Sequence, residues 1–394
     1  MQRLRILQIF SRYLEYGGEE GSVYRIGDAL QDHHDIDYFI GSTGDLLGAH
    51  PGASFLTPFR AWHNQAVARR LRRYQELGKF DLWQIHNVLP GLSPSVYQAA
   101  ITLGVPIVHY LHNYRLSCTN GFFLNHGSPC ERCLSGNFWP AFQTACWRNS
   151  RLISGFMGLI LRKIRQDGLF TKIAAWIAIS EAQKQKHVAM GIAADRIHVI
   201  PHFYEHRELP PAPCPDGDFL FLGRLSREKG VDFLLRSWAK LDPRGRRLVI
   251  AGTGPEESSL RQLAVQLGLK GVHFIGFVDK QQQPDLWAKS AALVVPSIWD
   301  EPFGMVVLEA WARGRPIVAF AKGALPELVR HNSDGLLAEP FSESSLAENI
   351  QELIIHPAQG PAMGSAGRLR LEKEFSRQVW YEKIEATYQG ILRL

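Results

Sequence analysis

The sequence predicts an α/β protein built from two Rossmann-like domains, and three observations carry that prediction. Short apolar runs alternate with helix-like segments in both halves, the signature of parallel sheets with helices on their faces. A proline-dense segment from Glu205 to Asp216 separates the halves and cannot be regular structure. At 394 residues the chain is too long for one ordinary domain and suits two of comparable size.

In the first half, strands are expected from Ile6 to Phe10, Ile36 to Ile40, Leu82 to His86, Pro106 to Leu111 and Ile173 to Ile179. The opening run follows Arg3 and Arg5 as a signal peptide would. Its apolar stretch is too short and no small-residue cleavage site follows, so a first strand is expected. Residues 117–150, rich in Cys, Gly, Asn and aromatics, form an insertion before the last of these strands. The second half restarts at Phe219 to Leu222 and continues through Arg247 to Ala251, Val272 to Ile275, Ala292 to Pro296 and Pro316 to Ala319. The expected division is a first domain at 1–204, a linker at 205–217, a second domain at 218–375 and a closing helix at 376–394. That helix carries Val379, Trp380, Ile384 and Tyr388 at helical spacing and is expected to pack back on the first domain. Two such halves facing a central cleft would bind ligands at the carboxyl ends of their strands.

Hydrophobic content of 45% and charged content of 21% are those of a soluble globular protein. The longest apolar stretch, Leu152 to Leu161, stops at Arg162-Lys163 and is too short to span a bilayer, so a cytoplasmic location is expected. A net charge of +6 favours an anionic partner. No compact recognition motif or aromatic-basic repeat supports nucleic acid. Phosphorylated substrates or an anionic membrane surface fit better. Val67, Leu71 and Tyr74 share one helical face while Arg69, Arg70, Arg72 and Arg73 take the other, and Leu152 to Ile164 adds an apolar stretch that ends in basic residues. Either segment suits a packed helix with a solvated basic face or one lying on an anionic bilayer.

The most informative element is Glu301-Pro-Phe-Gly-Met-Val-Val-Leu-Glu309, which follows the apolar run Ala291 to Pro296. A helix starting at Gly304 aims its first N–H groups at the end of that strand and makes an anion site. Glu301 in the loop and Glu309 a turn and a half into the helix can border the same ligand. Carboxylates beside a phosphate site grip hydroxyls, which points to a nucleotide-sugar. The second domain opens with Gly223-Arg-Leu-Ser-Arg-Glu-Lys-Gly230, a loop that offers Arg224 and Lys229 to a diphosphate. It is neither a Walker loop nor GxGxxG.

These two motifs, Gly-Arg-x-x-x-x-Lys-Gly and Glu-Pro-Phe-Gly-x-x-x-x-Glu, resemble those of the family-four retaining glycosyltransferases with the GT-B fold, and the resemblance runs from Ile6 to about Tyr388. It implies that Arg224 and Lys229 hold the donor diphosphate and that Glu301 holds the transferred sugar. Backbone N–H groups of Phe303, Gly304, Met305 and Val306 would surround sugar and phosphate, and Glu309 would accept from the ribose. Gly276-Phe-Val278 is similar to the edge that meets the nucleobase. In the first domain, Gly17 and Gly18 let the backbone approach a ligand closely. The family's equivalent loop lies over the donor phosphate, and a plain strand-to-helix turn is the other reading. His112 resembles the family's active-site histidine beside the reacting sugar. Asn113 stands where an Asp often follows, which leaves no second carboxylate at that position. Ser180-Glu181 is similar to a strand-end pair near the cleft.

The expected reaction is transfer of a sugar from a UDP- or GDP-sugar to a saccharide or lipid-linked acceptor. Retention and assembly of bacterial surface polysaccharide or lipopolysaccharide are implied by the resemblance. Arg224, Lys229 and the Gly304 helix end can stabilise the departing diphosphate without a metal. Asp35-Ile-Asp37 and Asp216-Gly-Asp218 have DxD spacing but sit at strand entrances, away from the expected site. The alternatives are a nucleotide-sugar epimerase of similar architecture and a non-catalytic sugar-nucleotide binder. Gly252-Thr-Gly254 is a poor dinucleotide fingerprint, which disfavours a dehydrogenase.

Cys118, Cys130, Cys133 and Cys146 fall in the insertion, and Cys214 stands apart. Cys130-Glu-Arg-Cys133 is a zinc-type knuckle, so a structural zinc is expected, with core thiols as the other reading. A subset of the resembling enzymes has a similar insertion beside the active-site histidine, which implies a part in shaping the acceptor site.

Overall fold

A computed structural model describes residues 2–12, 18–42, 57–205 and 210–392. Among these, the chain forms two six-stranded parallel sheets and a small hairpin. The first sheet contains β1 (Arg5–Arg12), β2 (Asp35–Ser42), β3 (Leu82–Ile85) and β4 (Ile107–Tyr110). The insertion supplies the hairpin strands β5 (Leu124–Asn125) and β6 (Ser128–Pro129), after which β7 (Ala175–Ala178) and β8 (Ile197–Val199) complete the sheet in the order β2-β1-β3-β4-β7-β8. The second sheet contains β9 (Asp218–Leu222), β10 (Leu248–Ala251), β11 (Val272–Gly276), β12 (Ser290–Val295), β13 (Ile317–Phe320) and β14 (Gly335–Ala338), in the order β11-β10-β9-β12-β13-β14.

Strands β3, β4, β7 and β13 are buried at every position. Helices cover both faces of a parallel sheet, so its strands read as continuous apolar runs rather than alternating ones. The short strands β8 and β14 add to those expected from the sequence. Each is an edge strand of three or four residues, too short to stand out by composition.

Two compact units result, one of residues 1–201 with 381–394 and the other of residues 202–380. The proline-dense segment therefore belongs to the second unit where it is described, with 206–209 outside the described residues. The helix Arg377–Leu392 ends in the first unit. There Tyr381 stacks on His33 at 4.1 Å and the Glu385 carboxylate lies 2.9 Å from His34 Nε2. Tyr388 donates its hydroxyl to Gln84 Oε1. In the second unit, Trp287 and Trp311 are fully buried. Each large side chain withdrawn from water contributes about 1.5–3 kcal/mol.

The helix Gln65–Gly78 is capped by Asn64, whose side chain accepts from the Val67 N–H at 3.2 Å. Val67 and Leu71 are buried, and Arg69, Arg70, Arg72 and Arg73 are exposed. Tyr74 departs from its expected place on the buried face. It sits at the rim of that face, 41% exposed, with its ring edge-on to Phe39. Among the described residues, no helix is long and apolar enough to cross a membrane.

His109 and His187 are among the histidines buried in the first unit. His109 on β4 is pushed down to about 3 by burial first and then by the neighbouring His112 and His187. His187, in the helix Glu181–Ala189, is pushed down to about 4 by burial, against the opposing bond to the Gln183 carbonyl. Both are neutral when folded, and in the unfolded chain both take protons below their ordinary value near 6.5. The unfolded state thus binds more protons as the pH falls from 6.5 towards 4, and stability is lost through that window. Urea unfolding at pH 7.5 and 5.0 should show the loss. His187→Gln should flatten the slope by about one proton, or about 1.4 kcal/mol per pH unit. An unchanged slope in that variant would contradict the assignment.

Candidate functional site

The order of the second sheet reverses between β9 and β12, and such reversals open a crevice at the carboxyl ends of the strands. The Gly223–Gly230 loop follows β9 and the loop from Pro296 to Gly304 follows β12, so the two motifs meet there. Ile298 N–H donates to the Glu228 carbonyl at 3.0 Å and ties the loops together. Gly230 has φ +65°, and a Cβ there would lie 2.0 Å from the Pro296 carbonyl oxygen, so only glycine fits.

This closeness brings Lys229 Nζ to within 2.9 and 3.2 Å of the two Glu301 carboxylate oxygens. Trp299 Nε1 donates to Glu301 Oε2 at 2.8 Å, and Lys229 Nζ lies 5.4 Å from the centre of the Trp299 ring. Glu301 is 8% exposed, and its backbone is held from the other side. Ala324 N–H donates to the Glu301 carbonyl at 2.8 Å. Gly323, at φ +59°, approaches so closely that a Cβ would lie 2.3 Å from Glu301 N. Lys322 pairs with Asp300 at 2.8 Å alongside.

The helix Met305–Ala312 starts after Gly304, which adopts φ 107°. Its N-terminal turn carries the positive end of the helix dipole. Glu309 is the one charged residue in this segment and is half-buried, as are Met305 and Val306. Phe303 is buried with its ring edge-on to His202 at 5.4 Å, which gives its side chain a packing role. Arg224 is exposed at the start of the β9 loop. Val278 lies past the end of β11, two strands from β9 and so about 10 Å along the same edge. The acids of both DxD pairs lie at the opposite, amino-terminal edges. Asp35 pairs with Arg3, Asp216 with Arg246 and Asp218 with Arg247. Trp299 was not picked out in the sequence, although an indole two residues before a loop acid is the signal that could have found it.

In the first unit, His112 lies just past β4, beside the end of β3. Its Nε2 is 2.7 Å from Nδ1 of His86, a fully buried histidine that the sequence reading missed. His112 keeps part of its surface accessible, and its ring is pushed down to about 3 by burial and by the Arg25 charge. Asn113 donates from Nδ2 to Glu19 Oε2 at 2.9 Å. The carboxylate absent from position 113 is therefore supplied from the first turn of the helix Gly18–Gln31. An aspartate at 113 would face Glu19 as a like charge. Gly17 lies outside the described residues. Gly18 opens that helix, and a Cβ there would meet nothing within 4 Å, so its neighbours do not enforce glycine. Ser180 caps the helix Glu181–Ala189 by accepting from Gln183 N–H at 3.1 Å.

The insertion gathers Cys118, Cys130, Cys133 and Cys146 into one neighbourhood. Burial first, then the nearby thiols, pushes Cys133 up to about 12. Cys118 Sγ donates to Asn120 Oδ1 at 2.9 Å, and Thr119 Oγ1 lies 3.0 Å from Cys146 Sγ. Among the described residues, no three His, Cys, Asp or Glu side chains come together as a metal-binding group. As placed, these thiols do not assemble the four-ligand group that the expected zinc would need.

A family model for glycosyl transferases group 1 matches residues 205–370, and one for glycosyltransferase family 4 matches residues 16–208. An uncharacterized glycosyltransferase of Methanocaldococcus jannaschii is 37% identical over 137 residues, 34% of this chain and 35% of that protein. A GDP-mannose-dependent α-(1-6)-phosphatidylinositol monomannoside mannosyltransferase of Mycobacterium tuberculosis is 32% identical over 207 residues, 48% of this chain and 52% of that protein. The chain spans about a fifth to a half of the length of the curated relatives it matches. HepE of Anabaena, solved with UDP and glucose, shares the fold with a TM-score of 0.71 at 19% identity, over 98% of this chain and 100% of that one. The two family models lie end to end over 16–370 and agree with two parallel Rossmann-like sheets: the chain belongs to glycosyltransferase family 4, the glycosyl transferases group 1, and has the GT-B fold.

Proposed function

We propose that this chain is a retaining glycosyltransferase that moves a sugar from a nucleoside diphosphate donor to a saccharide or lipid-linked acceptor. The observation that carries this reading is the Lys229–Glu301 pair at the reversal of the second sheet. It sets a cation for phosphate oxygens beside an acceptor for sugar hydroxyls. Family membership and the UDP bound in the HepE structure support a nucleotide-sugar donor, and the GDP-mannose of the mycobacterial relative leaves the nucleobase open.

On this reading, the bond between the anomeric carbon and the diphosphate oxygen breaks, and its electron pair leaves with the phosphate. Lys229 exchanges Glu301 for the diphosphate, Arg224 adds a second cation, and the Met305 helix end faces the developing charge. Removing one such donor of charge stabilisation typically costs roughly 10²- to 10³-fold in rate. Glu301 then accepts from the sugar and Glu309 from the ribose. His112 takes the family's place beside the reacting sugar. The acceptor hydroxyl attacks the same face of the anomeric carbon and passes its proton to the departing phosphate oxygen, which retains configuration. These groups need no metal for the step. Bacterial surface polysaccharide or lipopolysaccharide assembly in the cytoplasm is the setting we assign.

Purified protein incubated with a mixed panel of UDP-, GDP- and TDP-sugars in a chelator should release one nucleoside diphosphate slowly. Mass spectrometry should show that release falling at least 100-fold in Lys229→Ala. An isomerised sugar still attached to its nucleotide would identify an epimerase. Tight donor binding without turnover, in the presence of saccharide and lipid-linked acceptors, would identify a binder.

Peripheral attachment to the inner face of an anionic membrane is a second part of the proposal, supported by one surface of the first unit. On the helix Arg151–Gln166, Leu152 is 79% and Leu159 52% exposed, on one face, with Arg151 and Arg162 also exposed beside them. Trp139, stacked on Phe142, extends the apolar area on one side. Phe59, on the helix whose Trp62 meets Phe156, extends it on the other. Flotation with phosphatidylglycerol-containing vesicles should recover the protein, and Leu152→Glu with Leu159→Glu should abolish recovery. Equal recovery of the double variant would remove the membrane from the account.

A further inference from the structure

The first sheet carries polar side chains where its neighbours are apolar. Gln8 on β1, Gln84 on β3 and His86 just past β3 are all fully buried. Gln8 pairs with Gln84 in the strand register, and Gln84 and His86, two residues apart, share a face. An unpartnered buried polar group costs about 1–3 kcal/mol, and the contacts here run from residue to residue, although Gln8 Nε2 is left without a partner among the described residues. The Tyr388 hydroxyl donates to Gln84 Oε1, and Gln84 Nε2 lies 3.5 Å from His86 Nε2. Gln8 Oε1 lies 2.5 Å from that same nitrogen, and His86 Nδ1 faces His112 Nε2 at 2.7 Å. The two imidazoles are nearly parallel, with centroids 5.0 Å apart, and Tyr110 stacks on both.

We propose that His86 is a positioning residue that fixes the tautomer and ring angle of His112. The inference rests on the reading of His112 as the histidine beside the reacting sugar. Gln8 Oε1 can only accept and lies 2.5 Å from His86 Nε2, whereas the Gln84 amide nitrogen stands at 3.5 Å, so His86 carries its proton on Nε2 toward Gln8 and makes no bond to Gln84 Nε2. His86 Nδ1 is then an acceptor, and His112 donates to it from Nε2. One proton sits between the rings, and His112 is left with the lone pair on Nδ1. A neutral His112 held in this form offers a hydroxyl an acceptor in a set direction, which an unanchored ring would offer only part of the time. The anchor therefore runs back from His112 through His86 to Gln8 on β1.

The test uses the full chain labelled with ¹⁵N-histidine, the His112 resonances being assigned by their loss in His112→Gln. His86→Asn keeps an acceptor oxygen where Nδ1 stood, and His86→Leu removes it. We expect His112 to be protonated on Nε2 in the parent and in His86→Asn, and to become a tautomer mixture in His86→Leu. Transfer should follow, with kcat lower by roughly 10- to 100-fold in His86→Leu, donor KM unchanged, and most of the rate restored in His86→Asn. Circular dichroism checks that both variants fold, and His86→Gln, whose amide reaches the Nε2 position and leaves no acceptor at Nδ1, replaces His86→Leu if that variant does not. A parent protonated on Nδ1, or an unchanged tautomer in His86→Leu, overturns the inference whether or not the chain transfers sugar. A tautomer lost in His86→Leu with kcat unchanged would instead overturn the role of His112 in the reaction, and with it the purpose of the anchor.

Discussion

Lys229 and Glu301 are 72 residues apart in sequence and 2.9 Å apart in space, and the candidate donor site depends on that approach. The approach follows from strand order. Strands β9 and β12 are neighbours at the one place where the second sheet reverses, so the loops after them share an edge. Gly230 removes the side chain that would hold the loops apart, and Gly323 does the same behind Glu301. Trp299 then occupies the third side of the carboxylate. A charge this enclosed is tolerable because it is paired and hydrogen-bonded. The same pairing keeps both groups in place for a ligand that offers an anion to one and hydroxyls to the other.

The first unit is organised by polar contacts of a different kind. Its sheet buries a row of amides and imidazoles under the closing helix rather than a purely apolar face, and the row ends at His112. Beside it, Glu19 supplies through Asn113 a carboxylate that position 113 itself lacks. Both features surround His112 with hydrogen-bonded polar groups, with the Arg25 charge also acting on its ring.

Much of this was legible in the sequence. The apolar runs gave the central strands because strands buried on both faces have few other compositions. The two motifs gave the loops of the second unit because glycines, cations and acids at fixed offsets have few other uses there. What escaped depended on distances across the chain. Nothing in Lys229 or Glu301 alone says that they are partners, and His86 reads as the last residue of a strand until β4 is laid beside it. Edge strands β8 and β14 are too short to carry a pattern. Ligand spacing within the one knuckle, Cys130-x-x-Cys133, likewise says nothing about how Cys118 and Cys146 are placed around it.

The central claim is that the β9–β12 edge binds the diphosphate of the donor, and calorimetric titration of UDP and GDP in the presence of a chelator tests it most directly. The account predicts that at least one nucleotide binds the parent chain, with affinity about 10-fold or more weaker in Lys229→Ala and in Arg224→Ala, each losing a charge-assisted bond worth about 1.5–3 kcal/mol. Undiminished binding in both variants would place the nucleotide elsewhere and contradict the account.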